Sequence, residues 1–90
     1  MPRLYLIILL LLVGTNVQAQ LKIGKYLDFA KEQYDKGDYY YALEYYNKAL
    51  DIDSQSVDIL WQYAETLKAY KDYRKAEYYY KKVYEKEGAR

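Results

Sequence analysis

The 90-residue chain contains no cysteine and no histidine. Without cysteine there is no disulfide framework, no thiolate zinc site and no thiol nucleophile. The lipid-bearing cysteine of a bacterial lipoprotein is missing as well. Without histidine the usual general base near neutral pH and the commonest metal ligand are gone. Neither charge dominates: 14 Lys+Arg stand against 13 Asp+Glu, for a net charge of +1. That balance produces no long-range field toward nucleic acid, so no nucleic-acid partner is expected. Carboxylates are present, but none neighbours a base or nucleophile. The expectation is therefore no enzyme, no catalytic residue, no metal and no cofactor. Gly-rich hairpin turns and sustained apolar alternation are also lacking, which leaves no strand. What the chain has in excess is tyrosine, 15 residues in all.

There is one long apolar run, Leu4 to Val13, which follows the basic start Met1-Pro2-Arg3. It is half of the roughly 20 residues that a helix needs to span the hydrocarbon core. Gly14-Thr15-Asn16 breaks it, and Val17 and Ala19 place small residues before Gln20. This is the layout of a secretory signal peptide, residues 1–19, with cleavage after Ala19. The competing readings are an uncleaved membrane anchor and a buried helix of the fold. Export of a chain without cysteine favours a bacterial periplasm or cell envelope over a small disulfide-stapled secreted domain.

Residues 20–90 repeat. Ala30 recurs as Ala64, Tyr39 as Tyr73, Ala42 as Ala76, Tyr45 as Tyr79, Tyr46 as Tyr80 and Lys48 as Lys82, each at an offset of 34. Asp38 to Tyr46 matches Asp72 to Tyr80 at five of nine positions. Each unit reads as two helices, which makes the fold class all-α. The first helix is expected from about Leu21 to Lys36, with Ile23, Tyr26, Leu27, Ala30 and Tyr34 at amphipathic spacing. Gly37 suits a C′ position with positive φ, and Asp38 suits an N-cap. The second helix is expected from about Tyr39 to Ile52, with Tyr39, Ala42, Leu43, Tyr46, Ala49 and Leu50 inward. After the polar turn Asp53-Ser54-Gln55-Ser56, Ser56 caps a third helix from about Val57 to Tyr70, with Asp58 near its positive end. Its inward residues are Leu60, Tyr63, Ala64 and Leu67. Asp72 caps a fourth helix from about Tyr73 to Lys86, and Gly88 reads as a stop.

This unit resembles the tetratricopeptide repeat, a 34-residue helix–turn–helix. Tyr26, Phe29, Ala30, Gly37, Asp38, Tyr39, Ala42, Tyr46 and Ala49 match its pattern in the first unit. Leu60, Tyr63, Ala64, Leu67, Tyr73, Ala76, Tyr80 and Val83 match it in the second. Ser54 stands where the family usually has Pro, Lys71 where it has the turn Gly, and Gln33 where it has Tyr. The units cover residues 23–56 and 57–90, so the resemblance implies an α-solenoid of two repeats in residues 20–90. It further implies a scaffold whose first helices line a groove for a partner protein or peptide. The groove positions would be Leu27, Lys31, Tyr34 and Asp35, then Asp58, Trp61, Glu65 and Lys68. Trp61 either faces the partner or packs on the neighbouring helix. Lys31, Glu65 and Lys68 can equally form a solvated mixed face. A chaperone C-terminal carboxylate, the ligand of one subfamily, is rejected, because Asp28 and Glu65 would repel it.

The tyrosines divide in this reading. Tyr39, Tyr46, Tyr73 and Tyr80 are expected in the core. Tyr40, Tyr41, Tyr45, Tyr78 and Tyr79 are expected on the outer side of the second helices, either as a covered contact surface or with hydroxyls in water. Two repeats without a capping helix leave the fourth helix open, which implies self-association, a partner, or further repeats in a longer chain. The exported start and Tyr-rich repeats are similar to the beginning of large periplasmic proteins of Bacteroidetes. In those, such repeats precede a β-propeller and an OmpA-like peptidoglycan-binding domain, and some members serve type IX secretion. That resemblance implies an outer-membrane or peptidoglycan-associated complex.

Overall fold

The computed structural model describes residues 2–88, apart from the side chains of Pro2 and residues 7–15. The described residues form four helices and no strand: α1 (Pro2–Asp35), α2 (Tyr39–Ile52), α3 (Val57–Ala69) and α4 (Tyr73–Gly88). α1 packs against α2, α2 against α3, and α3 against α4. The chain is thus two helical hairpins laid side by side, 57 × 32 × 14 Å.

α2, α3 and α4 begin where their caps place them. α1 does not: it starts at Pro2 and continues through Gly14-Thr15-Asn16 and Ala19-Gln20 without a break. The expected start at Leu21 is corrected accordingly. Proline at the first helical position sacrifices no intrahelical bond. Its two interior glycines, Gly14 and Gly24, each cost the helix only about 1 kcal/mol. No helix among the described residues is long and apolar enough to cross a membrane.

The two hairpins close with the same turn. Asp38 N–H donates to the Gln33 carbonyl at 2.8 Å and Gly37 N–H to Tyr34 at 2.9 Å. Asp72 N–H donates to Leu67 at 2.9 Å and Lys71 N–H to Lys68 at 3.0 Å. Both are Schellman motifs, which require a left-handed residue at C′. Gly37 takes φ 82° there and Lys71 takes φ 70°. The substitution of Gly by Lys leaves the backbone conformation intact and places the steric cost on Lys71.

The caps differ. The Ser56 hydroxyl accepts from Ile59 N–H, and an Asp72 carboxylate oxygen accepts from Lys75 N–H at 3.3 Å. Asp38 occupies the N-cap of α2, but its side chain accepts no capping bond. The expected cap is therefore positional only. Its φ of −85° and ψ of 69° lie outside the extended conformation that aims a capping oxygen at the first turn.

The core follows the small and apolar positions. Ala30, Ala42, Ala49 and Ala64 are fully buried at the helix crossings, where a methyl side chain lets two backbones approach. Ile23, Leu43, Tyr46, Leu50, Leu60, Tyr63, Leu67, Ala76 and Val83 fill the space around them. Ile59 and Thr66 are buried too. A single inward stripe on α3 omits them, but α3 is packed on two sides. Thr66 satisfies its hydroxyl by donating to the Gln62 carbonyl at 2.7 Å.

Candidate functional site, a groove centred on Trp61

The rings repeat with the chain. Phe29 and Tyr45 pack at 5.4 Å between centroids, and their counterparts 34 residues on, Tyr63 and Tyr79, pack at 4.8 Å. Lys48 lies 5.6 Å from the Tyr45 ring, and Lys82 lies 5.6 Å from the Tyr79 ring. Tyr45 and Tyr79 are thus half-buried against the first helix of their own hairpin, not on the outer surface as expected. Tyr40, Tyr41 and Tyr78 are exposed, as expected. Tyr46 is buried and Tyr80 half-buried. Tyr39 is half-buried, edge-on to Tyr34. Tyr73, expected in the core, is 63% exposed. It stands at the start of α4 and lines a hollow with Trp61, Glu65 and Lys68.

Of the eight groove positions, the structure brings five together. Lys31, Tyr34 and Asp35 of α1 face Trp61 and Glu65 of α3 across an open hollow of about 410 Å³. Tyr46, Gln62 and Thr66 complete its lining. Sequence reasoning missed these three; Tyr46 forms the floor because α2 lies beneath both first helices. Leu27 is packed against the core, and Asp58 is exposed at the start of α3; neither lines this hollow. Lys68 lines a neighbouring hollow, also about 410 Å³, with Trp61, Glu65, Tyr73, Glu77 and Tyr80. The two hollows meet at Trp61 and Glu65.

Trp61 packs on the neighbouring helix and stays partly exposed. Its ring lies edge-on to Tyr80 at 5.2 Å, so it packs on α4. It is also 41% exposed and lines the groove. The Tyr80 hydroxyl donates to Glu65 Oε1 at 2.5 Å, which fixes the carboxylate beside the indole. Burial, then the Glu65 hydrogen bond and charge, push the Tyr80 hydroxyl well above the usual phenol range. Burial likewise pushes up Tyr46 and Tyr63. Among the described residues the ion pair present is Lys36–Glu32 at 3.1 Å, on the exposed side of α1. Lys31 therefore pairs with neither Asp35 nor Glu65.

Among the described residues no group of histidine, cysteine or carboxylate side chains could hold a metal ion. The groove offers flat aromatic walls, one fixed carboxylate and mobile charges at its rim, an arrangement suited to binding. No protein-family model matches the chain, and no curated protein matches it.

Proposed function

We propose that this chain is an exported protein–protein interaction module built from two tetratricopeptide-like hairpins, which holds a segment of a partner protein between α1 and α3. The observation that carries the reading is the open hollow in which residues of both first helices face each other around the half-exposed Trp61. Tryptophan is enriched among interface hot spots. Repetition of the Schellman turns and ring pairs at 34 residues supports the tetratricopeptide-like architecture. The signal-peptide layout of residues 1–19 supports export to the periplasm or cell envelope. A pull-down from envelope extract tests the groove. Partner recovery should fall at least about tenfold with Trp61→Ala and stay unchanged with Lys81→Ala, outside the groove. Equal recovery with both variants overturns the assignment.

A second reading is favoured by the open side of α4, where Tyr73 and Tyr84 are each 63% exposed. In that reading the hairpins are a structural, self-associating segment of an OmpA-like peptidoglycan-associated or type IX secretion component. Concentration-dependent sedimentation of the full chain, abolished by Tyr84→Lys, distinguishes it.

A further inference from the structure

The groove between α1 and α3 carries an uneven set of charges. Asp35 and Glu65 bring two carboxylates to the hollow and Lys31 one ammonium, while Lys68 and Glu77 line the adjoining hollow that shares Glu65. Lys31 and Asp35 are exposed at the rim, on long or mobile side chains that water solvates. Glu65 is different. It is half-buried, and Tyr80 occupies one of its oxygens. Its second oxygen has no partner among the described residues, although a carboxylate can accept several hydrogen bonds. One helical turn before it on α3 stands the part-exposed Trp61, with Tyr34 and Tyr46 on the same hollow. An aromatic face next to a fixed acceptor is complementary to one type of side chain, a planar cation. A guanidinium stacks on the indole while its N–H groups donate to the carboxylate.

The geometry points to an arginine side chain of the partner segment as the occupant of this hollow, stacked on Trp61 and paired with Glu65; this rests on the groove reading above. The Tyr80 hydroxyl is then a positioning group. It holds one Glu65 oxygen, and it brings no charge of its own to cancel the attraction. A lysine fits less well, because its ammonium cannot stack and donate in one plane. A terminal or side-chain carboxylate meets Glu65 and Asp35 and is repelled.

The test is a random twelve-residue peptide library panned against the full chain, followed by titration of the winning peptides. Trp61 is the sole tryptophan, so its emission reports occupancy of the hollow directly. The expected result is that winners share an arginine at a fixed position and change Trp61 emission saturably. Replacing that arginine with alanine should weaken binding about tenfold or more. Glu65→Gln should produce a similar loss for the arginine peptide and little change for its alanine version, with the helical circular dichroism retained. Winners that perturb Trp61 but carry no basic residue overturn the arginine assignment and leave the groove reading standing. Winners that leave Trp61 unaffected, or no winners at all, overturn both. An unchanged affinity in Glu65→Gln overturns the pairing with that carboxylate alone.

Discussion

Gly37 and Lys71 occupy the same place in successive hairpins, 34 residues apart, and both are left-handed, at φ 82° and 70°. Each closes its first helix with the same two backbone hydrogen bonds. One residue is suited to that backbone and the other is not. Gly37→Ala should destabilise the chain by about 1 kcal/mol, since the alanine methyl meets open space but a strained φ. Lys71→Gly should stabilise it by about 0.5–1 kcal/mol, after the added freedom of the unfolded chain is discounted. Urea unfolding of both variants measures the pair of opposite signs.

The caps provide a second contrast. Ser56→Ala removes a hydroxyl that accepts from Ile59 N–H and should cost about 1 kcal/mol. Asp38→Ala removes no capping bond and should cost no more than a few tenths. Equal losses in thermal unfolding would show that Asp38 caps α2 after all.

Close helix approach makes the alanines intolerant of volume. Ala30 and Ala64 are both fully buried at equivalent crossings. Ala30→Leu and Ala64→Leu should each destabilise by about 1–3 kcal/mol through overpacking. Chemical denaturation should show the two losses to be similar, because the repeat places them in similar surroundings.

Three tyrosines tie stability to alkaline pH. Burial raises the hydroxyls of Tyr46, Tyr63 and Tyr80 above the value of 10.0 that they hold in the unfolded chain. Above that value the unfolded chain loses these protons while the folded chain retains them, so the unfolded state gains. Their contribution is therefore fully present below pH 10.0 and is lost as pH rises beyond it. Tyr80→Phe should flatten the fall in stability above pH 10.0 relative to wild type. An identical slope by urea unfolding at several alkaline pH values would contradict this.

Much of the helical plan was legible in the sequence, and the reasons for the remainder are physical. The bounds of α2 and the buried alanines follow from caps and periodicity, which are local. The continuity of α1 through Gly14 was not legible, because Gly14-Thr15-Asn16 after an apolar run signals a break and tolerates a helix equally well. Ile59 and Thr66 lie off the stripe that faces α4, and their burial depends on α2 lying on the second side of α3. Tyr73 shows the converse: it keeps the pattern of Tyr39, yet the ring that packs on Tyr39, Tyr34, has Lys68 as its counterpart in the second hairpin. At the groove, Trp61 and Glu65 were expected from the resemblance to the tetratricopeptide repeat, not from spacing alone. The Tyr80 hydroxyl that orients Glu65 comes from another helix, 15 residues away, and only the packing of α4 on α3 reveals it.

The groove itself can be probed most directly by placing a photo-crosslinking amino acid at Lys31 in one version of the full chain and at Lys81 in another. Both positions are exposed, but only Lys31 lines the hollow around Trp61. Illumination in the native cell should give a discrete adduct of one added mass from position 31 and none from position 81. Adducts of equal yield from both positions, or none from position 31, would contradict the assignment of this groove as the partner-binding surface.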